Sequence, residues 1–372
     1  MDIRDIKTPA LLLERPKLLA NLARMAERAR ALGVKLRPHM KTAKSAAVAR
    51  LALDGGASGI AVSTLAEASY FLDHGVRDIL YAVGLAPAKL DEIAELVKRG
   101  ADIKFVTDNL TAARAIAGHP ACHRALIEID TGDGRLGLDP ADPELIEVAR
   151  AIESTGRSRV VGVMTHAGQS YDARDPAAMA RIAEGERAGA ALAAERLRAA
   201  GFACDIVSVG STPTAIHARD LRGATEMRPG VYMFGDLFQA GIGSCGADDI
   251  AVSVLASVIG HRRKDNAAIL DAGALALSKD RSTERLAGGD CGLGRVADLA
   301  GRTLDGVTVV GVSQEHGRAS ARSPLPFDLL PIGGKVRVYP NHACITAACF
   351  DAYHVLDGGT EVVATWDRCR GW

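Results

Sequence analysis

The chain has 372 residues, 48% hydrophobic and 24% charged, the make-up of a globular protein too long for one small core. Lys+Arg and Asp+Glu both number 45, so the formal net charge is zero, which argues against a nucleic-acid or acidic-membrane partner. No apolar run reaches the roughly 20 residues of a membrane span, the opening Met1-Asp2-Ile3-Arg4-Asp5 has no signal-peptide core, and seven scattered cysteines form no disulfide framework, so a cytoplasmic protein is expected.

Thr8–Leu13 reads as an opening strand, and helical spacing runs from Arg15 to Ala31. Residues 34–41 then alternate apolar and polar, which puts Lys35, Arg37, His39 and Lys41 on one face of a strand, with Thr42 opening a helix-like run. Short apolar strands recur near 58–63, 78–83, 102–107, 125–130, 160–166, 205–209 and 225–232, with helix-like stretches such as Ala177–Ala200 between them. Strands alternating with helices pair in parallel through crossovers, and about eight such units predict a (β/α)8 TIM barrel over residues 1–240. A doubly wound open sheet is the competing arrangement. It would carry a Gly-rich turn after an early strand, where this chain has Pro38-His39-Met40-Lys41. Beyond residue 240 the long helical patterns end. Strand-like runs at 251–259, 267–271, 307–312, 335–339 and 361–366 predict a mostly β domain over 241–372, with which the first few residues are free to pair.

In such a barrel, chemistry gathers at the C-terminal ends of the strands. Lys41 stands at the end of the first, and a lysine amine whose pKa is lowered there can form a Schiff base. Arg135 follows the fifth strand in Asp130-Thr131-Gly132-Asp133-Gly134-Arg135-Leu136-Gly137, and His166 ends the sixth, with Tyr171 just after. Gly210-Ser211-Thr212 leads into a helix-like stretch whose N-terminus can bind an anion; plain helix capping by Ser and Thr is the simpler reading. Arg228-Pro229-Gly230-Val231-Tyr232 closes the eighth strand. A lysine, a phosphate cradle and an inward histidine in one barrel mouth suggest pyridoxal phosphate, although a buried His166 is equally compatible with a purely structural role. In the C-terminal part, Pro340-Asn341-His342-Ala343-Cys344 offers an imidazole and a thiol two residues apart, a pair that suits Zn²⁺ and leaves coordination positions open. An inert buried cysteine is the competing reading. Gln314-Glu315-His316-Gly317 offers an acid/base group or a polar turn.

Together these motifs resemble the fold-type III pyridoxal-phosphate family, an alanine-racemase-like barrel followed by a β domain, over nearly the whole chain. Arg37-Pro38-His39-Met40-Lys41-Thr42 looks like the family's cofactor-lysine strand. Val209-Gly210-Ser211-Thr212-Pro213-Thr214, Gln314-Glu315-His316-Gly317 and His342-Ala343-Cys344 look like the branch that contains D-serine dehydratases and D-threonine aldolases. The resemblance implies Lys41 as cofactor lysine and base, with His316 as a further acid/base group. It places Arg135, His166 and Tyr171 around the cofactor ring. Gly210, Ser211, Thr212, Gly230 and Tyr232 would hold its phosphate, and His342 and Cys344 a divalent metal (Zn²⁺ first, then Mn²⁺, Co²⁺ or Mg²⁺). The implied reaction is loss of water from D-serine, D-threonine or D-threo-3-hydroxyaspartate to give a 2-oxo acid and ammonia, in a homodimer. Aldolases of the branch usually carry aspartate where Cys344 stands. Retro-aldol cleavage to glycine and an aldehyde, with His39 or His316 as base, is the alternative. A cofactor carrier is the non-enzyme alternative, and it leaves His342 and Cys344 without a purpose.

Overall fold

The computed structural model describes residues 1–372, and its contacts divide into two units: residues 23–230 with 371–372, and residues 1–22 with 231–370. The first strand, β1 (Ala10–Glu14), lies in the second unit. The first unit contains β2 (Lys35–Leu36), β3 (Ile60–Val62), β4 (Asp78–Gly84), β5 (Asp102–Thr107), β6 (Arg124–Ile129), β7 (Arg159–Thr165), β8 (Ile206–Val209) and β9 (Glu226–Met227). They form one parallel sheet in the order β2-β9-β8-β7-β6-β5-β4-β3. Its two edges meet. The Ser58 and Ala61 N–H groups donate to the Leu36 and Pro38 carbonyls at 2.9 Å each, and the Met40 N–H donates to the Ala61 carbonyl at 2.8 Å. The sheet is the expected (β/α)8 barrel.

Strands β2 and β9 are shorter than their apolar runs predict, because Pro38 and Pro229 have no N–H to give the ladder. Extended pairing nevertheless continues, with Arg37 N–H donating to Met227 and His39 N–H to Pro229 at 2.9 and 3.0 Å. Ala61, Leu80, Val106, Leu126 and Met164 pack together as a buried apolar cluster. Two residues along from members of that cluster stand Asp78, Lys104, Glu128 and His166, and alternation places them on the same strand faces. The interior therefore passes from an apolar layer into polar ones. Arg37 binds Glu226 at 2.8 Å and Asp78 at 2.9 Å, Lys104 binds Asp78 and Asp102 at 2.7 Å each, and Ser208 donates to Glu226 at 2.6 Å.

The second unit carries β10 (Val252–Arg262), β11 (Ala267–Leu270), β12 (Arg295–Ala297), β13 (Thr303–Val312), β14 (Gly317–Ser320), β15 (Lys335–Tyr339), β16 (Ala352–Leu356) and β17 (Val362–Asp367). With β1 they form a nine-stranded sheet, β11-β14-β13-β12-β15-β10-β1-β16-β17, in which β11 also pairs with β10. Six strands thus close on themselves, and β1, β16 and β17 extend from β10. Only the β1–β16 pairing is parallel. Where β1 and β15 flank β10, Arg337 is 1% exposed and binds Glu14 at 2.7 Å and the Ser253 hydroxyl at 3.0 Å.

Candidate active-site residues

Lys41 lies in a turn two residues beyond the His39–Ala61 bridge, and its side chain is exposed. The helix that follows starts at Ala46, not Thr42. Residues 40–43 turn first, and Lys44 takes a left-handed φ of 48° before Ser45, in the N-cap position, leads into the helix. The turn is pinned by Lys44, whose amine meets the fully buried Glu67 at 2.8 Å.

His39 is half-buried, and burial, reinforced by the positive charges of Lys41 and Arg228, holds its imidazole neutral, well below its usual range. His166 sits in the same field. Burial first, then Lys41, Arg228 and Arg135, lower it to about 3, while a hydrogen bond to the Gly210 backbone opposes the shift. Its ring lies 6.4 Å from that of Tyr171. His39, Lys41, Arg135, His166 and Arg228 thus interact electrostatically within the barrel unit. Arg135 is set by the loop before it, where Asp130 accepts from the Gly132 and Gly134 N–H groups at 2.8 and 3.1 Å. Its guanidinium lies 3.7 Å from Asp133 and 4.0 Å from Glu128.

Ser211 is buried and serves as a helix cap. It accepts from the Thr214 N–H, its own N–H donates to the Thr214 hydroxyl at 2.9 Å, and its hydroxyl meets that of Ser170 at 2.8 Å. Thr212 opens the helix Thr212–His217, and Ser211 and Thr212 are both within 2% of full burial. Gly210 has φ 111°, which favours glycine. A Cβ on Gly230 would stand 2.9 Å from the His39 carbonyl and 3.0 Å from the Thr42 hydroxyl, so only glycine lets this turn approach the Lys41 segment.

Of three further buried residues, Arg228 entered sequence reasoning only as part of its Arg-Pro-Gly turn, and Glu186 and Glu128 escaped it. Arg228 donates to the Ser208 hydroxyl at 2.7 Å and to the Thr165 carbonyl at 2.6 Å. Glu186, on the helix Pro176–Ala199, accepts from the Ala167 and Gly210 N–H groups at 3.0 and 2.9 Å and so ties together the loops after β7 and β8. Glu128 is 4% exposed, and burial pushes its carboxyl up. Arg228 Nε and Glu128 Oε2 are buried and have no hydrogen-bond partner, as expected where a bound polar group completes the site.

In the second unit, Tyr232 is buried in the single turn Val231–Met233, and burial raises its phenol. His316 is exposed in the turn joining β13 to β14. That turn lies against backbone. A Cβ on Gly273 would come within 2.3 Å of the Gln314 carbonyl. His342 and Cys344 are not on an extended segment. His342 is the N-cap of the short helix Ala343–Ala347, with φ −133° and ψ 101°, and Cys344 lies in that helix's first turn. The helix start, rather than strand alternation, brings them together, for the two side chains are hydrogen-bonded. His342 Nδ1 is 3.3 Å from Asp280 Oδ2. Burial disfavours the imidazolium, but Asp280 and Cys344 outweigh it and raise His342 to about 10. The hydrogen bond from His342 holds Asp280 down at about 2. No three His, Cys, Asp or Glu side chains are arranged as a complete metal cage. The donor pair is nevertheless of the borderline-soft N/S kind that takes Zn²⁺ with open positions.

A (β/α)8 barrel with a lysine after its first strand, joined to a closed antiparallel β unit, defines an alanine-racemase-like enzyme. Residues 14–237 match the alanine racemase N-terminal domain family, and residues 251–356 match a putative serine dehydratase domain. The chain is 47% identical to D-threo-3-hydroxyaspartate dehydratase of Delftia sp. (strain HT23), over 99% of this chain and 98% of that one. It is 30% identical to D-serine dehydratase of Dictyostelium discoideum, over 100% and 98% of the two chains. Among solved structures it is similar to a cysteine mutant of D-threo-3-hydroxyaspartate dehydratase in the metal-free form, with TM-score 0.95, 45% identity and full coverage of both chains. The chain belongs to the fold-type III pyridoxal-phosphate enzymes, in the branch that carries a serine dehydratase domain.

Proposed function

We propose that this enzyme removes water from a D-3-hydroxy amino acid, giving a 2-oxo acid and ammonia, with D-threo-3-hydroxyaspartate as the first candidate substrate and D-serine and D-threonine as the next. The observation that carries this reading is the His342–Cys344 imidazole–thiol pair in a chain with Lys41 at its barrel strand end. Likeness to the Delftia dehydratase over almost the full chain supports it.

Lys41 is the residue that would hold pyridoxal phosphate and, once freed, take the Cα proton. Bound pyridoxal phosphate supplies delocalisation of the charge left at Cα. The two orphaned buried atoms, Arg228 Nε and Glu128 Oε2, fit a polar group of this kind. Arg135 and Tyr171 border its ring. His166, neutral at ordinary pH, supports the ring without adding a positive charge. Gly210, Ser211, Thr212, Gly230 and Tyr232 hold its phosphate, Ser211 by shaping the turn, since its own N–H and hydroxyl are engaged.

His342 and Cys344 hold a divalent cation, Zn²⁺ ahead of Mn²⁺, Co²⁺ or Mg²⁺. Such an ion supplies Lewis-acid help to the departing hydroxyl, which is otherwise a poor leaving group. His316 is the proposed acid/base group. Hydroxyl departs as water, and hydrolysis of the released enamine yields the 2-oxo acid and ammonia. The enzyme works in the cytoplasm as a homodimer on this small-molecule substrate.

Chelation separates the two halves of the proposal. Removing the cation is expected to abolish ammonia release while the cofactor's visible absorbance persists. Full ammonia release from metal-free protein would overturn the metal's role.

A further inference from the structure

Asp280 lies in a polar turn between the helix Ala274–Leu277 and the short turn Ser282–Arg285. Its Oδ2 is 3.3 Å from His342 Nδ1, and its Oδ1 accepts from the Ser282 N–H at 2.8 Å. The carboxylate is thus oriented from behind. Its backbone is tied to the same segment, because Asn341 donates to the Asp280 carbonyl at 3.0 Å and to the Gly292 carbonyl at 2.5 Å. The Thr283 hydroxyl closes the network on Asn341 Oδ1 at 3.1 Å. Asn341 is 1% exposed and immediately precedes His342. This arrangement holds the Asp280 turn and the His342 segment together at several points.

An imidazole has two ring nitrogens, and one that donates N–H to a carboxylate cannot coordinate a cation. The carboxylate therefore selects the tautomer. We infer that Asp280 is a positioning residue for the cation: it accepts the Nδ1–H of His342, fixes the ring, and leaves Nε2 as the ligand beside Cys344. The inference rests on the metal reading of the His342–Cys344 pair. A carboxylate behind a ligating histidine raises its basicity as well as fixing its rotation. Asp280 is half-buried beside the ring, so its charge is only partly screened.

The test uses the holoprotein, stripped of metal by a chelator and titrated with Zn²⁺ against a chromophoric competitor. Wild type, Asp280→Asn, Asp280→Glu and His342→Ala are compared, with cofactor absorbance and the unfolding midpoint recorded for each. Asp280→Asn is expected to weaken Zn²⁺ about 10–100-fold with the absorbance intact, and Asp280→Glu to recover part of the loss. Wild-type affinity in Asp280→Asn, with affinity lost in His342→Ala, would overturn the role of Asp280 and leave the metal pair standing. No stoichiometric Zn²⁺ in wild type, or undiminished binding in His342→Ala, would remove both. Long-range ¹H–¹⁵N NMR of zinc-loaded wild type needs no variant to fold. It should show His342 protonated at Nδ1, and protonation at Nε2 would contradict the inference.

Discussion

At the scale of the residue, the claim with most at stake concerns Lys41. Its position follows from local chain geometry: extended pairing through His39, then a turn. Lys41→Ala is expected to lose the visible band of covalently held cofactor and all activity. A retained band would refute the assignment. The strand-end position of Lys41 was legible in the sequence because strand alternation and a strand end are local properties. Asp280 was not, because it meets His342 from 62 residues away, through a turn with no motif of its own. Arg228 was visible only as part of an Arg-Pro-Gly turn. Its bonds to Ser208 and Thr165 depend on barrel closure, which no window of sequence reports.

At the scale of the element, continuous apolar runs were the readable signal. Strands β3 to β8 and the helices Arg15–Ala31 and Pro176–Ala199 fall within a few residues of their sequence patterns. Strands β12, β14 and β16 carried no such run, and β16 pairs with β1 from the far end of the chain. His342 and Cys344 reach each other through a helix cap, which the spacing of the pair does not distinguish from a strand. A buried ion pair holds the junction of β1, β10 and β15. Glu14→Leu would leave Arg337 charged, 1% exposed and without its carboxylate. The expected cost is about 3–5 kcal/mol, read as a lower urea midpoint. A shift below about 1 kcal/mol would show that Ser253 and neighbouring dipoles suffice for Arg337.

At the scale of the whole molecule, no helix is long and apolar enough to cross a membrane. Two histidines set an acid limit. His123 is held at about 4 and His166 at about 3, in each case chiefly by burial. Both are lowered from an ordinary value of 6.5, so below it the unfolded chain takes up protons that the folded chain refuses. Their stabilisation is complete above that pH and is lost as pH falls toward 4 and then 3. The urea midpoint should therefore drop between pH 6.5 and pH 4, and His123→Phe, which keeps a ring against Phe105, should flatten part of that drop. An unchanged slope in the variant would remove His123 from the account.

The central claim is the bond that breaks. Purified enzyme with pyridoxal phosphate and Zn²⁺, given D-threo-3-hydroxyaspartate, should release ammonia and a 2-oxo acid in equal amounts, with no glycine. Glycine and an aldehyde in place of ammonia would contradict the dehydratase reading and assign the chain to retro-aldol cleavage.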